Sequence, residues 1–208
     1  MAGKYADAER VLVKVGTGFL FGEDNGGYRF MGDQMDALAD EAAELSEKKQ
    51  LVVVSSGAIA TESCKYGLEI PDNEHERAQL AGMGQPLLMQ EYASRFSKHG
   101  RICAQCLITQ DDITDRKRRR NLRMVQDGYF ARGVVAIYNE NDTIATDDIT
   151  FGDNDILAAK LACCIDADIM MMLSKTVNGL GSGGKDSKEK AKEILAQEKI
   201  PLEIINGR

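Results

Sequence analysis

The stretch Val134-Val135-Ala136-Ile137-Tyr138-Asn139-Glu140-Asn141-Asp142-Thr143 passes in one step from apolar residues to acids and carboxamides. Its first half is a continuous apolar run, the pattern of a strand buried on both faces and ending at Tyr138. A second polar cluster, Gly152-Asp153-Asn154-Asp155, follows soon after. Asn and Asp favour turns because their side chains hydrogen-bond the nearby backbone. Turn chemistry alone accounts for one such cluster. Two in succession beyond a buried strand point further, because open α/β sheets bind ligands at the carboxyl ends of their strands.

Outward from that strand, apolar runs alternate with amphipathic stretches. Further strands are expected over 11–15, 51–54, 102–108, 168–173 and 201–206. Met35, Leu38, Ala39, Ala42 and Leu45 are spaced for one buried face of a helix over 33–49. Helices are also expected over 76–99, 114–127, 156–165 and 186–197, the last opened by the capping pair Asp186 and Glu189. Residues 22–32 read as a loop. Gly82, Gly84 and Pro86 predict a bend or break near Gln85. The alternation gives an α/β fold, a three-layer α/β/α sandwich around a mainly parallel sheet. There is no internal repeat or low-complexity tract, so residues 1–208 read as one domain.

Composition narrows the function. With 43% apolar and 28% charged residues, the chain has the balance of a soluble globular domain. A net charge of −7 argues against a general nucleic-acid binder. No apolar run is long enough to span a bilayer, and the opening residues lack the core of an export signal, so a cytoplasmic location is expected. Five cysteines cannot all pair, which fits a reducing compartment. Cys103-Ala-Gln-Cys106 has redox spacing, but it lies in a strand, where residues three apart face opposite sides. Redox pairs sit instead at helix starts. Cys163 and Cys164 read as helix core, and Met170 to Met172 as core filler. His75 and His99 lack ligand-spaced companions for zinc. The run from Arg116 to Arg120 is one helical turn in an acidic chain, a solvated face or subunit contact.

Four polar turns each follow an apolar strand: Gly16-Thr17-Gly18, Ser55-Ser56-Gly57, residues 139–143, and Ser174-Lys175. A parallel sheet gathers such turns along one edge. Lys14, inside the first strand, is either an edge side chain reaching solvent or a cation of that site. Ser55-Ser56-Gly57 offers the free N–H groups of a helix start to an anion, or is an ordinary serine cap. The loop from Gly179 to Gly184 reads as a flexible linker or a phosphate loop. Its lysine and hydroxyl residues run in the reverse order of a Walker motif. Lys188 in a first helical turn opposes the helix dipole, a cost that a bound anion would offset. Cations and N–H groups suit phosphate, and acids suit an ammonium group or magnesium. Together they fit phosphoryl transfer from a nucleotide to a small polar acceptor.

These pieces, taken in order, resemble the amino acid kinase family. They are Val13-Lys14-Val15-Gly16-Thr17, Val54-Ser55-Ser56-Gly57-Ala58, Gly84-Gln85-Pro86-Leu87, Leu107-Ile108-Thr109, Asn139 to Thr143, Phe151 to Asp155, Gly179 to Gly184 with Ser187-Lys188, and Ile205-Asn206-Gly207. The Asn-Glu-Asn-Asp run with Gly-Asp-Asn-Asp is similar to the branch that phosphorylates the γ-carboxylate of L-glutamate, the first step of proline synthesis. The resemblance implies ATP and Mg2+ as cofactors. By position, Ser56, Asp142 and Asn154 would hold glutamate, with Asn139 and Asp155 close by and Asp142 suited to the α-ammonium. Lys14 and Lys188 would neutralise the moving phosphoryl group, and Asp153 would orient them. Gly16 and Gly57 would donate N–H groups to phosphates. Ser174, Gly181, Ser182, Gly183, Gly184 and Ser187 would lie along the nucleotide, and no residue is assigned as a metal ligand. A homo-oligomer and proline as feedback inhibitor are implied as well; a nucleic-acid or membrane partner is not.

The acceptor suits this residue set. A γ-carboxylate, with a reference pKa near ~4.3, is ionised at neutral pH and needs no general base. The difficulty is joining two anions, which cations, N–H groups and magnesium address. A hydroxyl acceptor would instead require a base, for which Asp153 is the candidate. The chain departs from the family after Leu173-Ser174. There Lys175-Thr-Val-Asn leads straight into the glycine loop, without the usual aspartate and nucleotide-pocket segment, and Lys185 stands where methionine is common. The final strands of the family domain also lie beyond this sequence. Two other readings are a relative acting on another acid, such as N-acetylglutamate or aspartate, and a non-catalytic sensing or assembly module. Asp142 disfavours an acylated amine; the missing segment favours the module.

Overall fold

Six apolar runs pair side by side into one sheet, β5-β6-β4-β1-β7-β8, and every pairing is parallel. The structure, a computed structural model, describes residues 7–24, 27–145, 154–174 and 185–206. The strands are β1 (Arg10–Val15), β4 (Gln50–Ser55), β5 (Cys103–Ile108), β6 (Val135–Glu140), β7 (Ile169–Ser174) and β8 (Leu202–Asn206). Between them lie α2 (Gly32–Lys48), α3 (Ala58–Tyr66), α4 (Glu74–Lys98), α5 (Gln110–Thr114), α6 (Arg116–Phe130), α7 (Asn154–Cys164) and α8 (Lys185–Gln197).

Alternation along each strand divides the core in two. Val11, Val13 and Val15 of β1 pack with Met35 and Leu38 of α2, Ala58 of α3, and Leu88, Tyr92 and Phe96 of α4. Leu12, with Val52 and Val54 of β4, packs on Leu157, Ala158 and Leu161 of α7 and Leu195 of α8. The sheet is therefore covered on both faces, as its unbroken apolar strands require. Cys103 packs on the first cluster and Cys106 on the second, so the two thiols lie on opposite faces of β5.

Several sequence expectations need correction. Residues 22–32 are not simply a loop. After a short helical turn, α1 (Thr17–Leu20), the chain forms an antiparallel hairpin of β2 (Phe21–Asp24) and β3 (Gly27–Phe30). Phe21 and Phe30 meet edge to face with centroids 5.4 Å apart. Arg95 of α4 lies 5.5 Å over the Phe30 ring and pairs with Asp36 of α2 at 2.8 Å. These contacts are non-local and leave no local signature.

The helix break expected near Gln85 is absent, and α4 runs through Pro86 for 25 residues. Packing overrides the local tendency. A Cβ on Gly84 would lie 1.9 Å from the carbonyl oxygen of Ala58, so the α3 and α4 backbones touch there. Gly84 thus serves the close approach of the two helices. The helix expected over 114–127 is α6, which starts two residues later after Asp115, whose side chain accepts the N–H groups of Lys117 and Arg118; the short α5 before it was not expected. The residues from Arg116 to Arg120 are exposed. α8 starts one residue early, and Glu189 pairs forward with Lys192 at 2.6 Å. β6 extends two residues past Tyr138, because Asn139 and Glu140 pair with Leu107 and Ile108.

Candidate functional site

Because all six strands are parallel, the residues that follow them collect along one edge. β1 lies between β4 and β7, and β4 lies between β1 and β6. The turns after these four strands are therefore neighbours, at the edge where open sheets bind ligands.

Lys14 is 8% exposed and forms an ion pair with Asp155 of α7. It is not an edge side chain reaching solvent. A buried ammonium needs such a partner, because desolvation of an isolated charge is prohibitive. The Ser187 hydroxyl donates to the other oxygen of Asp155 at 3.4 Å. Lys188, one residue on, donates to the Ser174 hydroxyl at 3.0 Å. Gly16 joins these groups. A Cβ there would lie 3.2 Å from the Leu173 carbonyl oxygen, 3.6 Å from Lys14 Nζ and 4.0 Å from the Ser174 Cα. Lys14, Gly16, Ser174, Ser187 and Lys188 thus share one rim. The Gly16 N–H, assigned above to a phosphate, donates instead to the Leu173 carbonyl at 2.9 Å.

The neighbouring half of the rim is built from amides. Asn154, first residue of α7, donates to Asn139 Oδ1 at 2.8 Å and to Ser56 Oγ at 3.0 Å. Asn139 donates to Gln85 Oε1 at 2.8 Å. Gln85, Asn139 and Asn154 are buried, while Ser56 is half-buried. Gly57 has φ +107°, which favours glycine, and a Cβ there would lie 3.0 Å from Phe21. It precedes α3 without any side-chain cap, so the serine-cap reading fails. Ser55 instead accepts from Tyr92 at 2.8 Å and donates to the Ser56 carbonyl. Burial raises the Tyr92 phenol well above its ordinary pKa, keeping it a neutral donor.

The two readings of the 139–143 stretch divide between residues. Asn141 makes the turn: its carbonyl accepts the N–H groups of Ile144 and Ala145, and its side chain accepts from Thr143 at 2.8 Å. Asn139 faces the amide network. Asp142 is half-buried, and burial pushes its carboxyl up to about 6 against the opposing charge of Arg77 on α4. The turn rests on α4, where a Cβ on Gly82 would come 3.1 Å from Thr143 Cγ2. Asp153, Gly181, Ser182, Gly183 and Gly184 lie outside the described residues.

Sequence reasoning assigned no role to Gln85 or Tyr92. Both come from α4, and only the sheet order shows that α4 lies beneath the ends of β4 and β6. Among the described residues, no group of three or more His, Cys, Asp or Glu is arranged to hold a metal. A cavity of about 50 Å3, lined in part by Gln50, Phe130 and Val135, lies at the opposite end of the strands and touches none of these residues.

A parallel six-stranded sheet with a polar rim at its carboxyl edge defines an open-sheet α/β domain. Residues 9–200 match the amino acid kinase family, and the chain belongs to it. It is 36% identical over 198 residues to glutamate 5-kinase 2 of Bacillus subtilis, covering 94% of this chain and 52% of that protein. It is 38% identical over 182 residues to the glutamate 5-kinase of Symbiobacterium thermophilum, covering 86% of this chain and 68% of the relative. The glutamate 5-kinase of Anaeromyxobacter dehalogenans is 42% identical over 176 residues, 83% of this chain and 45% of that one. The chain spans about half the length of most of these relatives. Its fold is similar to that of the UMP kinase of Ureaplasma parvum, with a TM-score of 0.60 at 13% identity over 95% of this chain and 89% of that one. No described helix is long and apolar enough to cross a membrane.

Proposed function

We propose that this domain transfers the γ-phosphoryl group of ATP to the γ-carboxylate of L-glutamate, forming γ-glutamyl phosphate. The observation that carries the reading is the first turn of α7. Asn154 reaches the amide half of the rim and Asp155 reaches Lys14. Adjacent residues on one helix thus tie an amino-acid subsite to a phosphate subsite.

In this reading Lys14 and Lys188 offset the charge that accumulates as one anion approaches another, the main obstacle to the reaction. Asp155 keeps the Lys14 ammonium placed; Asp153 is proposed to orient the two lysines further. Asp142, Ser56 and Asn154 bind glutamate, with Asn139 behind them. The uncapped start of α3 after Gly57 and the side chains of Ser174 and Ser187 face the phosphates, with the loop from Gly181 to Gly184 along the nucleotide. Magnesium, when bound with the nucleotide, would supply further charge neutralisation. Proline synthesis in the cytoplasm, self-association and inhibition by proline belong to the same proposal.

Release of ADP with a panel of acidic amino acids, with and without magnesium, tests it. Glutamate- and magnesium-dependent release is expected, with little from N-acetylglutamate. The non-catalytic reading rests on Lys175-Thr-Val-Asn leading directly into the glycine loop. Glutamate binding without any ADP release would establish it instead.

A further inference from the structure

The amide network has a fixed polarity. The backbone N–H of Glu140 donates to Asn139 Oδ1 at 2.9 Å. A backbone amide can only donate, so this bond sets which end of the Asn139 carboxamide is oxygen. Asn139 must then turn Nδ2 toward Gln85, which accepts with Oε1 at 2.8 Å. Asn154 must likewise turn Nδ2 toward Asn139, and the same nitrogen reaches Ser56 Oγ. Because Ser56 Oγ accepts from inside the protein, its own proton is left to donate elsewhere. Asn154 Oδ1 and Gln85 Nε2, both buried, have no hydrogen-bond partner among the described residues. The relay thus leaves a hydroxyl proton, fit for a carboxylate oxygen, and a carbonyl oxygen, fit for an ammonium group.

We infer that Gln85 is a positioning residue for amino-acid recognition, acting through Asn139 on Asn154 and Ser56. It is the acceptor that closes the relay on the protein side. Without it, Asn139 Nδ2 is buried and unpaired. The Glu140 N–H still sets the sense of the carboxamide, but its far end loses its anchor, so Oδ1 no longer holds Asn154, and through it Ser56, in one position. Gln85 thereby keeps the hydroxyl and the carbonyl oxygen in register for a ligand carrying both a carboxylate and a free amine. This rests on the glutamate reading above.

Two substitutions of similar volume separate polarity from packing. Gln85→Glu keeps an acceptor toward Asn139; Gln85→Met removes it. With the 208-residue chain, Gln85→Met is expected to raise KM for glutamate about tenfold, with KM for ATP within about twofold of the parent. The preference for glutamate over N-acetylglutamate should narrow. Gln85→Glu, its buried carboxyl held neutral by protonation, should keep KM for glutamate within about threefold. Equal KM effects from the two variants, or a Gln85→Met change confined to stability, would overturn the inference. If the parent chain has no turnover on glutamate, that reading fails separately, and the relay is read from the Asn154 side-chain amide protons by NMR. They should exchange slowly in the parent and in Gln85→Glu, and at least about tenfold faster in Gln85→Met. Equal exchange in all three proteins refutes the relay.

Discussion

At the scale of single residues, Lys14 and Asp155 explain each other. Lys14→Ala leaves a buried carboxylate without its counter-charge, a change that costs about 3–5 kcal/mol. Chemical denaturation should show that loss, and the double variant Lys14→Met with Asp155→Asn should recover most of it. Neither protein should turn over, since loss of a charge-stabilising group costs about 100- to 1,000-fold in rate. Recovery of stability without activity separates the two roles of Lys14. Asp142 carries the pH dependence. Its folded pKa of about 6 lies above the ordinary carboxylate value. The ionised form therefore costs stability above pH 6, and that cost fades as pH falls toward the unfolded value. Asp142→Asn should stabilise the free domain by ~1–2 kcal/mol at pH 7.5 and by almost nothing at pH 4, read from unfolding midpoints. Glutamate binding has the opposite trend, because the ammonium group needs the carboxylate. KM for glutamate should be flat above pH 7 and rise toward tenfold per pH unit below 6, and Asp142→Asn should remove that step.

At the scale of elements, the crossing of α3 and α4 is set by one missing methyl group. Gly84→Ala places a Cβ 1.9 Å from the Ala58 carbonyl oxygen, so the helices must part. Overpacking of this kind costs about 1–3 kcal/mol, and here the obstacle is backbone rather than a side chain that can swing away. Denaturation should place Gly84→Ala at or beyond the upper end of that range. Raised KM for glutamate should accompany it, since Gln85 is the next residue. The same crossing shows where sequence reading stopped. The central strands were legible because β1, β4, β6 and β7 are buried on both faces, and the α2 spacing was legible because one face is buried. The unbroken α4 was not, because Gly82, Gly84 and Pro86 carry a local signal for a break that packing overrides. The β2–β3 hairpin was missed because Phe21, Phe30 and Arg95 hold it through contacts distant in sequence.

At the scale of the whole molecule, parallel strand order does most of the work. Lys14, Ser56, Asn139 and Ser174 stand at the ends of β1, β4, β6 and β7, so their nearness follows from the four polar turns noted in the sequence. What the turns could not reveal is which atoms are already engaged. The Gly16 N–H is occupied by Leu173, and Asn141 rather than Asn139 makes the turn. Hydrogen-bond direction is a property of the assembled rim and is not written in residue type. The two-faced sheet also places Cys103 and Cys106 on opposite sides. Mild oxidation should leave five titratable thiols and form no disulfide between that pair, read by thiol counting and mass. The central claim is that this rim joins ATP to the side-chain carboxylate of glutamate. Trapping an acyl phosphate with hydroxylamine tests it most directly. The account predicts γ-glutamyl hydroxamate, formed one for one with ADP and absent from the Lys14→Met, Asp155→Asn protein. ADP without hydroxamate, or hydroxamate undiminished in that double variant, would contradict it.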